Sequence, residues 1–216
     1  MSRVTRRSFA LGLGALGLGR VARADAIDDA LARVARARAG LRTLVGPFTQ
    51  ERTIGLLAAR VRSTGTLTLV RPDRLRWELA PPDAITYWFT PEGLAYRGGG
   101  GAGTDGKHNQ GHVSPAQSTL AASLDDLRTL LGGDLSRLRA RYDLRLVSDG
   151  AEGLAFDATP HDPALPIKRL AFGLAPDGAI PRFAELIEGP RDKTRIDFGA
   201  LQRDATVDPA LVRPPT

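Results

Sequence analysis

The chain contains no cysteine. That excludes disulfides, thiol catalysis and thiolate metal sites. It also excludes an N-terminus anchored through a lipidated cysteine. Aromatic residues make up 6% of the 216 positions, and histidine occurs three times, at His108, His112 and His161. His108 and His112 have the i, i+4 spacing of a helical metal pair, but they sit among Gly, Asn and Gln where no helix is expected, so a solvated loop is the reading. There is no G-x-S-x-G, no phosphate loop and no dinucleotide fingerprint. Asp125 and Asp126 are adjacent, so on a helix they point apart, and capping accounts for them better than acid–base chemistry. The glycines from Gly98 to Gly101 lack the strand–loop–helix context of a phosphate cradle. No catalytic residue, cofactor or metal ligand is therefore assigned, and an enzyme is not expected.

Long apolar runs are also missing. The only candidate, Phe9 to Gly19, is Gly-rich and short of the ~20 residues needed to span a bilayer. It follows Arg3, Arg6 and Arg7 and precedes Ala22-Arg-Ala24, the order of a cleavable export signal. Arg6-Arg7 followed by Ser8-Phe-Ala-Leu11 is similar to the twin-arginine consensus. The expectation is a signal over residues 1–24 and a mature periplasmic domain over 25–216. Of the 30 Lys+Arg, five (Arg3, Arg6, Arg7, Arg20 and Arg23) lie in that signal, leaving 25 against 24 Asp+Glu. The basic pI then belongs to the signal, and no nucleic-acid partner is expected.

What is present is a pattern of strands. Ile27, Leu31, Val34, Arg38 and Leu41 recur at helical spacing, with Asp25, Asp28 and Asp29 in the expected first turn. Period two follows. Val61, Ser63, Gly65, Leu67 and Leu69 share one strand face, Leu75, Trp77 and Leu79 another, and Ile85, Tyr87 and Phe89 a third, with turns at Pro72-Asp73 and Pro81-Pro82. Residues 98–112 read as a Gly-rich loop. Ser114-Pro115 and the box Ser123-x-x-Asp126, before Leu127, Leu130 and Leu131, read as starts of two short helices ended by Gly132-Gly133. Strands resume with Tyr142, Leu144 and Leu146, then Leu154 and Phe156, then Leu170, Phe172 and Leu174, then residues 180–187, then Thr194, Ile196 and Phe198. About eleven strands in one antiparallel sheet would curl or nearly close. The helices would then cover the apolar concave face.

Arg71 continues the parity of Leu67 and Leu69 and would face the apolar side, which is costly without partners. Either the strand ends at Pro72 and the side chain reaches water, or Arg71 bonds polar groups at the ends of the covering helices. The aromatics Trp77, Tyr87, Trp88, Phe89 and Tyr96 suit a packed core and a cavity for alkyl chains equally well.

Phe48-Thr-Gln50, and then Ser63-Thr-Gly-Thr-Leu-Thr-Leu-Val-Arg-Pro-Asp-Arg-Leu-Arg-Trp-Glu78, resemble the periplasmic carrier of outer-membrane lipoproteins, the LolA family. Pro81-Pro-Asp83, Leu94-Ala-Tyr96, Leu130-Leu-Gly-Gly-Asp134, Thr194-Arg-Ile-Asp-Phe198 and residues 207–215 extend the likeness over the mature chain. The resemblance implies a half-open β-barrel with an N-terminal helix and a short helical lid. It implies acylated lipoproteins, or another lipid, as cargo. It further implies an inner-membrane lipoprotein-releasing ABC transporter as loader, an outer-membrane acceptor lipoprotein, and action as a monomer. Arg71 matches the family's arginine between barrel and lid. The cavity candidates are Leu67, Leu69, Leu75, Trp77, Leu79, Ile85, Tyr87, Phe89, Leu127, Leu130, Leu131 and Phe172. The export signal and the Gly-rich segment depart from the family pattern. A packed β-adaptor without cargo is the alternative.

Overall fold

The computed structural model describes residues 18–55, 59–98, 109–113 and 119–215. The twin-arginine segment and Ser114-Pro115 lie outside them. Helix α1 (Leu18–Arg38) leads into β1 (Thr43–Ile54), β2 (Ala59–Val70), β3 (Arg74–Leu79), β4 (Ile85–Thr90), β5 (Gly93–Gly98) and β6 (Asn109–Val113). Helix α2 (Thr119–Gly132) and a 3-10 helix (Leu135–Ala140) follow. Then come β7 (Tyr142–Gly150), β8 (Gly153–Pro160), β9 (Arg169–Leu174), β10 (Pro181–Ile187), β11 (Lys193–Phe198) and the two-residue β12 (Gln202–Arg203).

The sheet runs β6-β5-β4-β3-β2-β1-β11-β10-β9-β8-β7, with β12 pairing β1 off this path. Every pairing is antiparallel. The eleven-strand path matches the half-open barrel expected from the period-two segments. Its ends, β6 and β7, are not paired to each other, so the barrel stays open between them.

The curve has two apolar halves. Ile27, Ala30, Leu31 and Val34 of α1 lie with Leu144, Leu154, Phe156, Leu170 and Phe172 of the β7–β10 half. Leu127 and Leu131 of α2 lie with Phe48, Leu67, Leu69, Leu75, Trp77, Phe89 and Ile196. Leu130, one residue round α2, joins the first half instead. The central helix thus bridges both cores, because residues 100° apart on a helix face different neighbours.

Four expectations need correction. Helix α1 starts at Leu18, so Asp28 and Asp29 fall in its interior rather than in a first turn; the Ala/Arg-rich run ahead of them propagates helix well. The expected loop 98–112 is partly strand, since Asn109–Val113 pairs with β5, Gly98 opposite Asn109. Exposed backbone on the edge of β5 is satisfied by any adjacent segment, whatever its side chains. Ser123-x-x-Asp126 lies inside α2, a single helix rather than two. Finally, Asp126 does not cap that helix: it is buried and paired, as described below.

On the other face of β4 from Tyr87 and Phe89 stand Thr86, Trp88 and Thr90. Trp88, one of the aromatics that suit a packed core, is buried there against the C-terminal tail. Its Nε1 donates to Leu211 O at 3.0 Å, within the 3-10 turn Pro209–Val212. Replacing Trp88 by Phe removes that donor and should cost about 1 kcal/mol. Faster cleavage of the tail by a protease, with the core unfolding midpoint lowered by no more than about 4 °C, is the expected result.

Candidate functional site

The concave face holds a cleft of about 220 Å³. Its apolar wall comes from Trp77 and Leu79 on β3, Tyr87 and Phe89 on β4, Leu127 on α2, Leu186 on β10 and Ile196 on β11. Period-two geometry explains the wall: each strand sends alternate side chains inward, and neighbouring strands bring those rows together. Gln50, Arg52, Glu188 and Thr194 add a polar side. Those four sit toward one end of the barrel, since Arg52 pairs with Thr194 and Val61, far along β1 from Thr43 and Val70. The cleft is therefore amphipathic. The Tyr87 phenol is raised above its usual range, by burial first and then by Asp83 and Tyr96. It stays neutral beside the apolar wall at physiological pH.

Of the twelve candidates read from the sequence, five line this cleft: Trp77, Leu79, Tyr87, Phe89 and Leu127. Leu67, Leu69, Leu75 and Leu131 are fully buried in the same apolar half, beneath it. Leu130 and Phe172 belong to the other half, where Phe172 stacks on Phe156 at 5.0 Å. Ile85 is half-buried and not among the lining residues. Leu186, Ile196 and Gln50 were missed, although each lies on an expected strand or in the Phe48-Thr-Gln50 motif. The parity of β10 and β11 held the signal, but their position opposite β3 and β4 is a property of the curved, open sheet.

The opposite end of the barrel is held by arginines. Arg71, in the β2–β3 turn, donates from Nη1 to the carbonyls of Arg38 at 2.5 Å and Leu41 at 3.0 Å. Arg38 is the last residue of α1 and its carbonyl also accepts from Leu41 N at 3.1 Å, while Leu41 lies just past the helix, so the guanidinium sits at the negative end of the helix dipole. Arg38 was read as one position of the helix stripe. It is 2% exposed, and its guanidinium donates to Leu130 O at 2.8 Å, Gly133 O at 3.1 Å and Ala179 O at 3.0 Å. Burial, then the nearby charge of Arg71, lowers its pKa to about 10, so it is still charged at neutral pH. A long side chain at an apolar helical spacing looks like packing in a one-dimensional pattern. Its carbonyl partners come from residues 92 to 141 positions away.

Helix α2 is also attached through Asp126 and Arg128. Asp126 accepts from Arg141 Nη1 at 2.7 Å and from the Tyr142 hydroxyl at 2.5 Å. Arg128 donates to Asp73 O at 3.1 Å, in the same turn as Arg71. Burial and the Asp126 carboxylate push the Tyr142 phenol up, so it remains a donor. Among the described residues, no group of three or more His, Asp or Glu could hold a metal ion. Among them, no helix is long and apolar enough to cross a membrane.

No family model matches the chain. Over 172 residues it is 27% identical to an outer-membrane lipoprotein carrier protein of Alkalilimnicola ehrlichii, covering 77% of this chain and 71% of that one. Among solved structures, a LolA superfamily protein from Nitrosomonas europaea is similar at 10% identity with a TM-score of 0.42, covering 86% of this chain and 96% of the other. A DUF1329 family protein from Desulfovibrio piger is similar at 13% identity with a TM-score of 0.47, covering 87% and 97%. In sequence, this half-barrel is similar to the outer-membrane lipoprotein carriers of the LolA family over about three quarters of its length.

Proposed function

We propose that the chain is a periplasmic carrier that shelters acyl chains of lipoproteins in the concave cleft and ferries them from the inner to the outer membrane. The observation that carries this reading is the cleft itself: an apolar wall on the inside of an open barrel, roofed by α2 and bordered by Gln50, Arg52, Glu188 and Thr194. An acylated ligand would place its chains on the wall and its head toward that border. Each methylene withdrawn from water contributes ~0.8 kcal/mol, so about ten methylenes match the ~8 kcal/mol of micromolar affinity and no covalent step is needed. On this reading an inner-membrane lipoprotein-releasing transporter loads the carrier and an outer-membrane lipoprotein accepts the cargo. The carrier acts as a monomer, and Arg71 helps set the balance between holding and releasing.

The test is native mass spectrometry of protein purified from the periplasm, with lipid extraction, beside titration with a fluorescent acylated peptide. Wild type should carry or take up one acylated molecule per chain. Leu186→Trp fills the cleft from β10 and should weaken probe binding at least tenfold while leaving the unfolding midpoint within a few degrees. No copurifying lipid and no probe uptake by wild type would sink the carrier reading and leave a packed adaptor domain.

A further inference from the structure

Helix α2 covers the cleft, yet the Arg71 hydrogen bonds described above end on α1. The cleft lies toward the Arg52 end of the barrel, and α2 reaches it through Leu127. The C-terminal end of α2 lies at the other end: a Cβ on Gly132 would fall 2.3 Å from Leu69 Cδ2 and 3.8 Å from Arg71 Cδ. There the last turn presents carbonyls with no helical donor. Two of the carbonyls there, Leu130 O and Gly133 O, accept from the buried guanidinium of Arg38. The third bond, to Ala179 O, fixes the same guanidinium to the turn between β9 and β10. All three acceptors are backbone carbonyls, so Arg38 holds positions of the chain rather than one exchangeable acid.

We infer that Arg38 is the positioning residue that tethers the C-terminal end of α2, so that the lid is held through α1 in series with Arg71. Two links follow one another: Arg71 joins the β2–β3 turn to the end of α1, and Arg38 joins that end to the end of α2. Removing the Arg38 side chain unties the C-terminal end of α2 and leaves the Arg38 and Leu41 carbonyls in place for Arg71. A lysine at 38 keeps the charge but has a compact ammonium in place of the fork that reaches three carbonyls in different directions.

Hydrogen–deuterium exchange on the full chain, comparing wild type with Arg38→Lys and Arg38→Met, tests this directly. In Arg38→Met the amides of residues 127–133 should exchange at least tenfold faster than in wild type, while those of β8 and β9 keep wild-type protection. Arg38→Lys, the milder change, should fall between the two. The tether is overturned if residues 127–133 keep wild-type protection in both variants. It is equally overturned if the loss of protection spreads evenly over the sheet, because Arg38 would then be a packing residue of the whole core. The consequence for cargo rests on the carrier reading and is read separately, from dissociation of the acylated peptide, which should quicken in the same order. Faster α2 exchange in a protein that binds no probe supports the tether and counts against the carrier.

Discussion

Phe48→Ala should lower the unfolding free energy by about 3–5 kcal/mol. Phe48 is 1% exposed, and its ring stacks on Trp77 with centroids 3.8 Å apart. The ring also lies against the backbone of β2, where a Cβ added at Gly65 would fall 2.5 Å from Phe48 Cζ. Strand β1 connects the two halves of the sheet through its pairings with β2 and β11. A void there is bounded by main chain on one side, which collapses poorly, so both the transfer loss and the cavity loss are felt. For a chain of this length, 2–4 °C per kcal/mol gives a drop in Tm of about 10 °C. The same substitution frees one face of Trp77, a wall residue of the cleft, so the indole emission should shift to longer wavelength. Chemical denaturation monitored by that emission checks both points. A loss under 1 kcal/mol would show that the stack contributes little.

Asp126→Ala should cost about 3 kcal/mol and act on α2. Its carboxylate is 5% exposed on the side chain, between Arg141 and the buried Tyr142 hydroxyl. Removing one member of a buried pair leaves the others desolvated without compensation, about 3–5 kcal/mol in general. The lower end applies because the Arg141 side chain is 32% exposed and can turn to water. Tyr142 cannot, being 1% exposed. Tyr142→Phe removes the hydroxyl and leaves the ion pair with Arg141, so it should cost only about 1–2 kcal/mol. The double variant should be less destabilising than the sum of the singles, as expected for groups sharing one hydrogen bond. Additive losses would mean that Asp126 and Tyr142 contribute independently.

Much of the architecture was legible because burial on one side of a pleated strand writes itself into alternation. Leu67, Leu69, Leu75 and Trp77 fall on an inner face by alternation alone, and the turns at Pro72-Asp73 and Pro81-Pro82 set their order. The cleft was legible in part for the same reason: Trp77, Leu79, Tyr87 and Phe89 come from consecutive strands joined by short turns. Asp126 was misread because a serine three positions ahead of an acid looks the same whether or not a helix starts there. The edge strand Asn109–Val113 was hidden because its pairing depends on β5 and not on its own polar, glycine-bearing sequence.

The period-two rows, the apolar stripe of α1 and the motif around Phe48 and Arg71 are properties of near neighbours in the chain, and the sequence by itself determined them. Tertiary structure alone decided that Leu186 and Ile196 face Trp77 and Tyr87 across the curve, and that Leu130 and Leu131 serve different halves of the core. It alone decided that Arg38 spans to carbonyls more than ninety residues away. The physical reason is that a strand's inward face is set by local alternation. What that face meets, and which orphan carbonyl a buried guanidinium finds, depends on how twelve strands bend around two helices.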